Sequence, residues 1–555
     1  MFIYVLYGDD NMELNEKNVK SFRLDHLGIV AGVCEELKIE EKINKLIDGN
    51  DPRRIVKCGK AVVAMILNGL GFVGKSLYMT PTFFENLPVQ RLLGENITAQ
   101  NLNDDTLGKA LDEISDYGAT ELFANIALEI ACEHKLMGNS AHLDSTSMSM
   151  EGEYNNQESG TINITHGFAK QRPDLKQFIV QMIVTGPADL PIWHETLDGN
   201  TSDKTSFSET IQTVEQFKSE LLGDHKLIWI ADSALYSVES ILQLKTVSWI
   251  SRVPENIKEA KTVISKHYED SEWIDYAGGY KYITHKSTYG DVEQRWLLVH
   301  SKDAYKREEK TFNKNLEKKH DVCKKELWHI GNQEFCYQKD AENAIKKIEK
   351  KHPFFSITYE CVEELKYAKK GRPSIKNPPI GSVWHIKTAF QKNEEAIKKQ
   401  LNTKGRFILA TNDLDKAHRP DDSIIKEYKE QQSVEKGFRF LKDPWFINDK
   451  IFLKSKKRIE ALSMVMTLCL LVYNYAQYFV RNKLKEQNEF LPNQLGKPVQ
   501  NPTMRWIFQM MTGIAIVKVV LDNDFIHELV SNMNELRFKI LTFFGPLICI
   551  KYGIP

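Results

Sequence analysis

A chain of 555 residues, 42% hydrophobic and 27% charged, is too long for a single core and too apolar for disorder, so several domains or one heavily inserted domain are expected. Its formal net charge of −1 excludes a uniformly basic nucleic-acid binder, so any DNA contact must rest on where the charges sit. Eight cysteines lie far apart, with no CxxC pair and no Cys/His cluster at zinc spacing, which excludes a disulfide scaffold and a zinc ribbon.

Residues 1–50 are acid-rich, and the first of them lack the basic start and small-residue cleavage site of a signal peptide, so a cytoplasmic protein is expected. From about 20 to 135 apolar residues recur at three- and four-residue spacing, as in VKCGKAVVAMILNGL, which predicts an α-helical N-terminal domain over 1–135. The texture then turns to β. AHLDSTSMSM, GTINITHG and KQFIVQMIVTG are short, rich in β-branched residues and punctuated by Gly, Asn and Pro. The run Gly199-Asn200-Thr201-Ser202-Asp203 supplies turn and N-cap chemistry for a helix through Leu222, and KLIWIAD reads as a fully buried strand. Residues 136–254 are thus the first part of an α/β core. A Lys-rich stretch over 255–412 carries the strand candidates YKYITHK, RWLLVHS, SVWHIKT and RFILATN and predicts an inserted, largely β subdomain.

Pro420-Asp421-Asp422-Ser423 then starts a helix that Asp443-Pro444 ends, opening the second part of the core over 413–484. Within it, 461–480 contains no charge, but Asn474 and Gln477 interrupt its apolar run, so a buried core helix is expected over 461–473 rather than a membrane span. The segment 485–555 carries no chemical motif, predicts a helical stretch near 520–540, and is available for dimerisation. Two basic clusters stand out, 365–376 and Lys454, Lys456, Lys457 and Arg458; such runs serve either as solvated faces or as DNA contacts.

The chemistry concentrates in three places. On one continuous helix at about 100° per residue, with Tyr428 as zero, Gln431 falls near ~300°, Glu435 near ~340° and Lys442 near ~320°, beside an apolar face of Val434, Phe438 and Leu441. Asp144 lies inside an otherwise uncharged β run, and Asp232 ends a buried strand, where α/β sheets place active groups. Three carboxylates suit two Mg²⁺ ions about 3.5–4 Å apart, which clamp the attacking and leaving oxygens of phosphodiester displacement without any His or Cys ligand.

The spacing Tyr428-x2-Gln431-x3-Glu435-x6-Lys442 resembles the Y-x2-R-x3-E-x6-K signature of insertion-sequence transposases in the IS-four superfamily. HLDSTS around Asp144 and IADSALY around Asp232 resemble that family's two aspartate blocks in the same chain order, and the insertion falls between the last two acids. HGFAKQRPD with Arg172, the GNTSD run and IFLKSKKRIEALSMVM are similar to its longer-chain branch, so the resemblance spans about 20–520. It implies an RNase H-like mixed sheet as catalytic core, interrupted by the β insertion, and a DDE transposase doing cut-and-paste transposition. Asp144, Asp232 and Glu435 would be catalytic and hold two Mg²⁺, with Mn²⁺ able to substitute. Tyr428, Gln431, Lys442, Arg439 and Arg172 would contact DNA. The partners implied are double-stranded DNA, as terminal inverted repeats bound by the N-terminal domain and as target, and a second copy as a homodimer in the DNA complex. In relatives a flipped base stacks on a Trp of the insertion, for which Trp296, Trp328 and Trp384 are candidates. Gln431 departs from the pattern, since an amide brings no charge to a phosphate. The alternative is a catalytically inactive DNA-binding derivative of the same fold.

Overall fold

The computed structural model describes residues 4–554 apart from 8–9, 14–18, 48–53, 73–74, 156–159, 168–171, 224, 369–377, 444–452 and 522–523. Two compact units divide the chain, Met1–Ser251 with Lys426–Pro555, and Arg252–Ile425.

The first unit begins with an antiparallel strand pair, Tyr4–Tyr7 with Asp10–Glu13, followed by strand β1 (Val19–Arg23) and, among its helices, α1 (Leu27–Glu36), α2 (Cys58–Leu70), α3 (Asp104–Tyr117) and α4 (Ala119–Glu133). These helices are apolar where the sequence spacing predicts, with Ile29, Val62, Ile66, Leu111 and Ile126 all fully buried. Strands β2 (Ser140–Met150), β3 (Lys176–Thr185) and β4 (Leu190–Leu197) follow, then α5 (Asp203–Leu222), β5 (Ile228–Ala231), α6 (Val238–Gln243) and β6 (Ser248–Arg252). They line up as β4-β3-β2-β5-β6. β2 runs antiparallel to β3 and parallel to β5, and β5 runs parallel to β6. All four residues of β5 are buried, as expected of a strand covered on both faces.

One expected strand is displaced. GTINITHG makes only a single bridge, Thr165 to Gln177, and the third strand of the sheet is instead Leu190–Leu197. Pro191 disguises that strand in the sequence. It is tolerated because β4 pairs on one side only and its register slips between Ile183 and Val184, where a bulge absorbs the missing donor.

The second unit holds β7 (Ile274–Tyr276), β8 (Tyr280–Tyr289), β9 (Val292–Ser301), helices α7 (Lys302–Gly331) and α8 (Gln338–Lys351), the hairpin β10 (Phe355–Tyr367) and β11 (Pro379–Lys392), and β12 (Arg406–Thr411). The four expected strands form, but the insertion is mixed rather than largely β, because 30 of its residues make α7. Phe312, Leu316, Cys323, Leu327 and Ile330 fall at helical spacing and, with α8 and the β10–β11 hairpin, build a small core of their own.

The chain returns to the first unit through α9 (Asp421–Glu430), α10 (Gln432–Leu441) and α11 (Lys456–Glu486). The expected single helix is therefore two. Gln431 separates them, with its N–H on Tyr428 O at 3.2 Å and its own carbonyl taking Val434 N–H at 3.2 Å, a three-residue turn that interrupts the α-helical ladder. α11 is the one described helix long and apolar enough to cross a membrane, and 78% of its most apolar window is buried inside the protein. Its Thr467 Oγ1 meets His194 Nδ1 of β4 at 2.9 Å, so its polar groups are matched to the sheet.

Strands β13 (Ala515–Leu521) and β14 (Asp524–Ser531) take the first part of the region where a helix is expected near 520–540, and a helix forms only at its end, over Glu535–Thr542. AIVKVVL is β-branched, and β1 offers it a partner edge in the register Ala515 to Arg23. The last helix, α12 (Pro546–Lys551), packs on α1. The N-terminal helices and this C-terminal segment thus share one compact unit with the sheet.

Candidate catalytic site

Parallel pairing of β2 with β5 sets Leu143 beside Ala231, so Asp144 and Asp232 follow at the same level of adjoining strands. Asp144 Oδ1 accepts the Ser145 N–H at 2.8 Å. The chain leaves the sheet at Asp232, whose Oδ1 accepts the Ala234 N–H at 2.8 Å and caps a short turn, while buried Ser251 of β6 donates to the Asp232 carbonyl at 2.8 Å. Local backbone donors therefore fix one oxygen of each acid.

α10 supplies the third acid. Val434, Phe438 and Leu441 are buried, which leaves Glu435 and Arg439 exposed one helical turn apart. Gly437 lets the helix lie close, since a Cβ there would come within 2.7 Å of Met182 Cε on β3 and 3.0 Å of Leu470 Cδ2 on α11. At the helix end Lys442 Nζ donates to Thr146 Oγ1 at 2.7 Å, two residues beyond Asp144 on the same face of β2. Burial lowers the Lys442 pKa.

Electrostatics tie the acids together. Burial raises the Asp144 carboxyl to about 7, against the Ser145 N–H that lowers it, and the charges of Asp232, Asp203 and Glu435 raise it further. Asp203 is a residue that sequence reasoning passed over as part of a helix start. It begins α5, and its Oδ1 accepts Ser145 Oγ–H at 2.5 Å, next to Asp144. Carboxylate oxygens are the ligands that Mg²⁺ takes, and repulsion among them is what a bound cation relieves, so this donor set fits the expected metal.

The remaining expected contacts divide. Tyr428 is half-buried on α9, across the helix break from Glu435, and Gln431 is only 8% exposed at the break itself. Arg172 is exposed, pairs with Asp174 at 2.9 Å, and feels the charge of Glu151 just past the end of β2, seven residues (151 − 144) beyond Asp144. Residues 369–376 of the first basic cluster, and Ala169 to Gln171 beside Arg172, lie outside the described residues. In the second cluster Lys456 is buried and Arg458 is held by Asp112 through two bonds of 2.7 Å, which leaves Lys454 and Lys457 exposed. Of the three candidate tryptophans, Trp296 is fully buried and bonded to Gln294, Trp384 packs on the α7–α8 core, and Trp328 is 65% exposed.

A family model described as a domain of unknown function (DUF4277) matches residues 19–128, the region of α1 to α4. No curated protein matches the chain. Among solved structures the chain is similar to one described as the cryo-EM structure of piggyBac transposase synaptic complex with hairpin DNA, at 9% identity, over 89% of this chain and 82% of that one, with a TM-score of 0.34. At that score the likeness carries no argument about fold or activity.

Proposed function

We propose that this chain is a DDE-type DNA transposase of the insertion-sequence kind, in which Asp144, Asp232 and Glu435 serve strand cleavage and strand transfer. The observation that carries the reading is geometric: pairing of Leu143 with Ala231 sets Asp144 beside Asp232, and the bond from Lys442 to Thr146 lays the helix of Glu435 along the same strand, although 203 residues (435 − 232) separate the last two acids. The order β4-β3-β2-β5-β6, with two acids on adjoining parallel strands and the third on a helix laid against β2 and β3, supports the RNase H-like core that the sequence motifs imply.

Asp144 and Asp232 would hold metal between them and Glu435 would complete the set for a second ion; two Mg²⁺, or Mn²⁺ in their place, supply positive charge to both oxygens of an in-line displacement. The chain's own groups orient the DNA. Lys442 is anchored on β2 beside Asp144, where a phosphate can share its ammonium. Arg439, exposed one turn after Glu435, offers a planar fork for a second phosphate. Trp328 offers an open ring for a base drawn out of the stack. The proposed partners are terminal inverted repeats and target DNA, with a homodimer in the DNA complex and a cytoplasmic setting.

The test is incubation with a labelled DNA end carrying the sequence that flanks this gene, plus a supercoiled target plasmid, in Mg²⁺. Nicking at the end followed by its covalent joining to the plasmid is expected. End binding with no nick in Mg²⁺ or Mn²⁺ contradicts the proposal and describes a DNA-binding protein without catalysis.

A further inference from the structure

One ring nitrogen of His142 and one carboxylate oxygen from each of Glu427 and Glu430 lie within 4.8 Å of one another. His142 stands on β2, and both glutamates belong to the last turns of α9. His142 is 4% exposed. Its Nε2 is 3.3 Å from Ser140 Oγ, and its Nδ1 is buried without a hydrogen-bond partner. Glu427 Oε2 is likewise buried and unpartnered. Neither buried atom has a hydrogen-bond partner, and a cation held between an imidazole lone pair and the carboxylate oxygens satisfies both at once. Glu430 is exposed and leaves one side of the group open to solvent.

We propose that His142, Glu427 and Glu430 form a binding site for one divalent ion of the zinc class, separate from the acids Asp144, Asp232 and Glu435. One imidazole nitrogen with two carboxylate oxygens is a three-ligand set that Zn²⁺ accepts, with solvent in the remaining position. Imidazole selects against Mg²⁺, which keeps to oxygen ligands, so the two sites take different ions. The bound ion joins β2 to the end of α9 immediately before the break at Gln431. It thereby fixes the start of α10, the helix that carries Glu435.

The full chain, stripped with a chelator, is titrated with ZnCl₂ by calorimetry, and retained zinc is counted by elemental analysis after dialysis. One equivalent is expected in the wild type and in Asp144→Asn and Glu435→Gln, with affinity at least about tenfold lower in His142→Gln and Glu430→Gln. Zinc should also raise the melting temperature of the wild type and of Asp144→Asn but not of Glu430→Gln, whose altered side chain is exposed and whose folding is not at stake. Absence of retained zinc in the wild type, equal retention in the His142 and Glu430 variants, or loss of zinc in Asp144→Asn each overturns the proposal. DNA cleavage plays no part in these readouts, so failure of the transposase reading would leave this site standing.

Discussion

Asp144→Asn should make the metal-free protein more stable while removing its activity. Burial first, and then Asp232, Asp203 and Glu435, hold the Asp144 carboxyl at about 7 against an ordinary value of 3.8. The folded state therefore binds this proton more tightly than the unfolded chain does. Stability from this group is full below about pH 4 and is lost as pH rises through about 7. Three units at about 1.4 kcal/mol each set an upper limit of about 4 kcal/mol, reduced by solvent because the side chain is not fully buried. Between pH 5 and pH 8 the wild type should lose on the order of 2 kcal/mol that the Asn variant keeps, a difference of a few degrees in melting temperature. The assay is thermal unfolding in EDTA at both pH values, repeated at pH 8 with Mg²⁺, which should restore the wild type and leave Asp144→Asn unmoved. Parallel pH profiles for the two proteins would refute the convergence of charge at this position.

Glu435→Gln removes one of the charges that raise Asp144, so the Asp144 carboxyl should titrate at lower pH in that variant, as read by carboxyl NMR with the metal left out. Gly437→Ala drives a methyl toward Met182 and Leu470 and should cost about 1–3 kcal/mol in denaturant unfolding, with a loss of cleavage larger than the loss of fold because α10 carries Glu435. Trp328→Ala should weaken binding of single-stranded or hairpin DNA by about 1–3 kcal/mol without changing the melting temperature, whereas Trp296→Ala should cost about 3–5 kcal/mol of stability; the reverse pattern would move the stacking role elsewhere.

The three acids proposed for the site can be picked out in the sequence because each lies in a short motif whose residues stay together in the chain: HLDSTS, IADSALY and the Glu435 helix. Burial of α11 was readable for a similar reason, since Asn474 and Gln477 interrupt its apolar run. What escaped was set by tertiary structure. Pro191 hid β4, because whether proline is tolerated depends on a bulge and an edge that only the sheet supplies. The apolar spacing of α7 was present but diluted by lysines on its exposed faces. No glycine or proline marks the break at Gln431, so the stripe plotted on one continuous helix joins residues that belong to two. Asp203 was read as part of a helix start, and its place beside Asp144 follows from α5 crossing to Ser145. His142 is 285 residues (427 − 142) from its nearest glutamate partner, a separation at which no motif spacing exists.

The central claim is that Asp144, Asp232 and Glu435 form one metal-dependent cutting site. It is tested most directly by single-turnover cleavage of a labelled end in Mg²⁺ by Asp144→Asn, Asp232→Asn and Glu435→Gln, each first shown to bind that end as the wild type does. The account predicts wild-type cleavage and none from any of the three variants; cleavage at the wild-type rate by any one of them contradicts it.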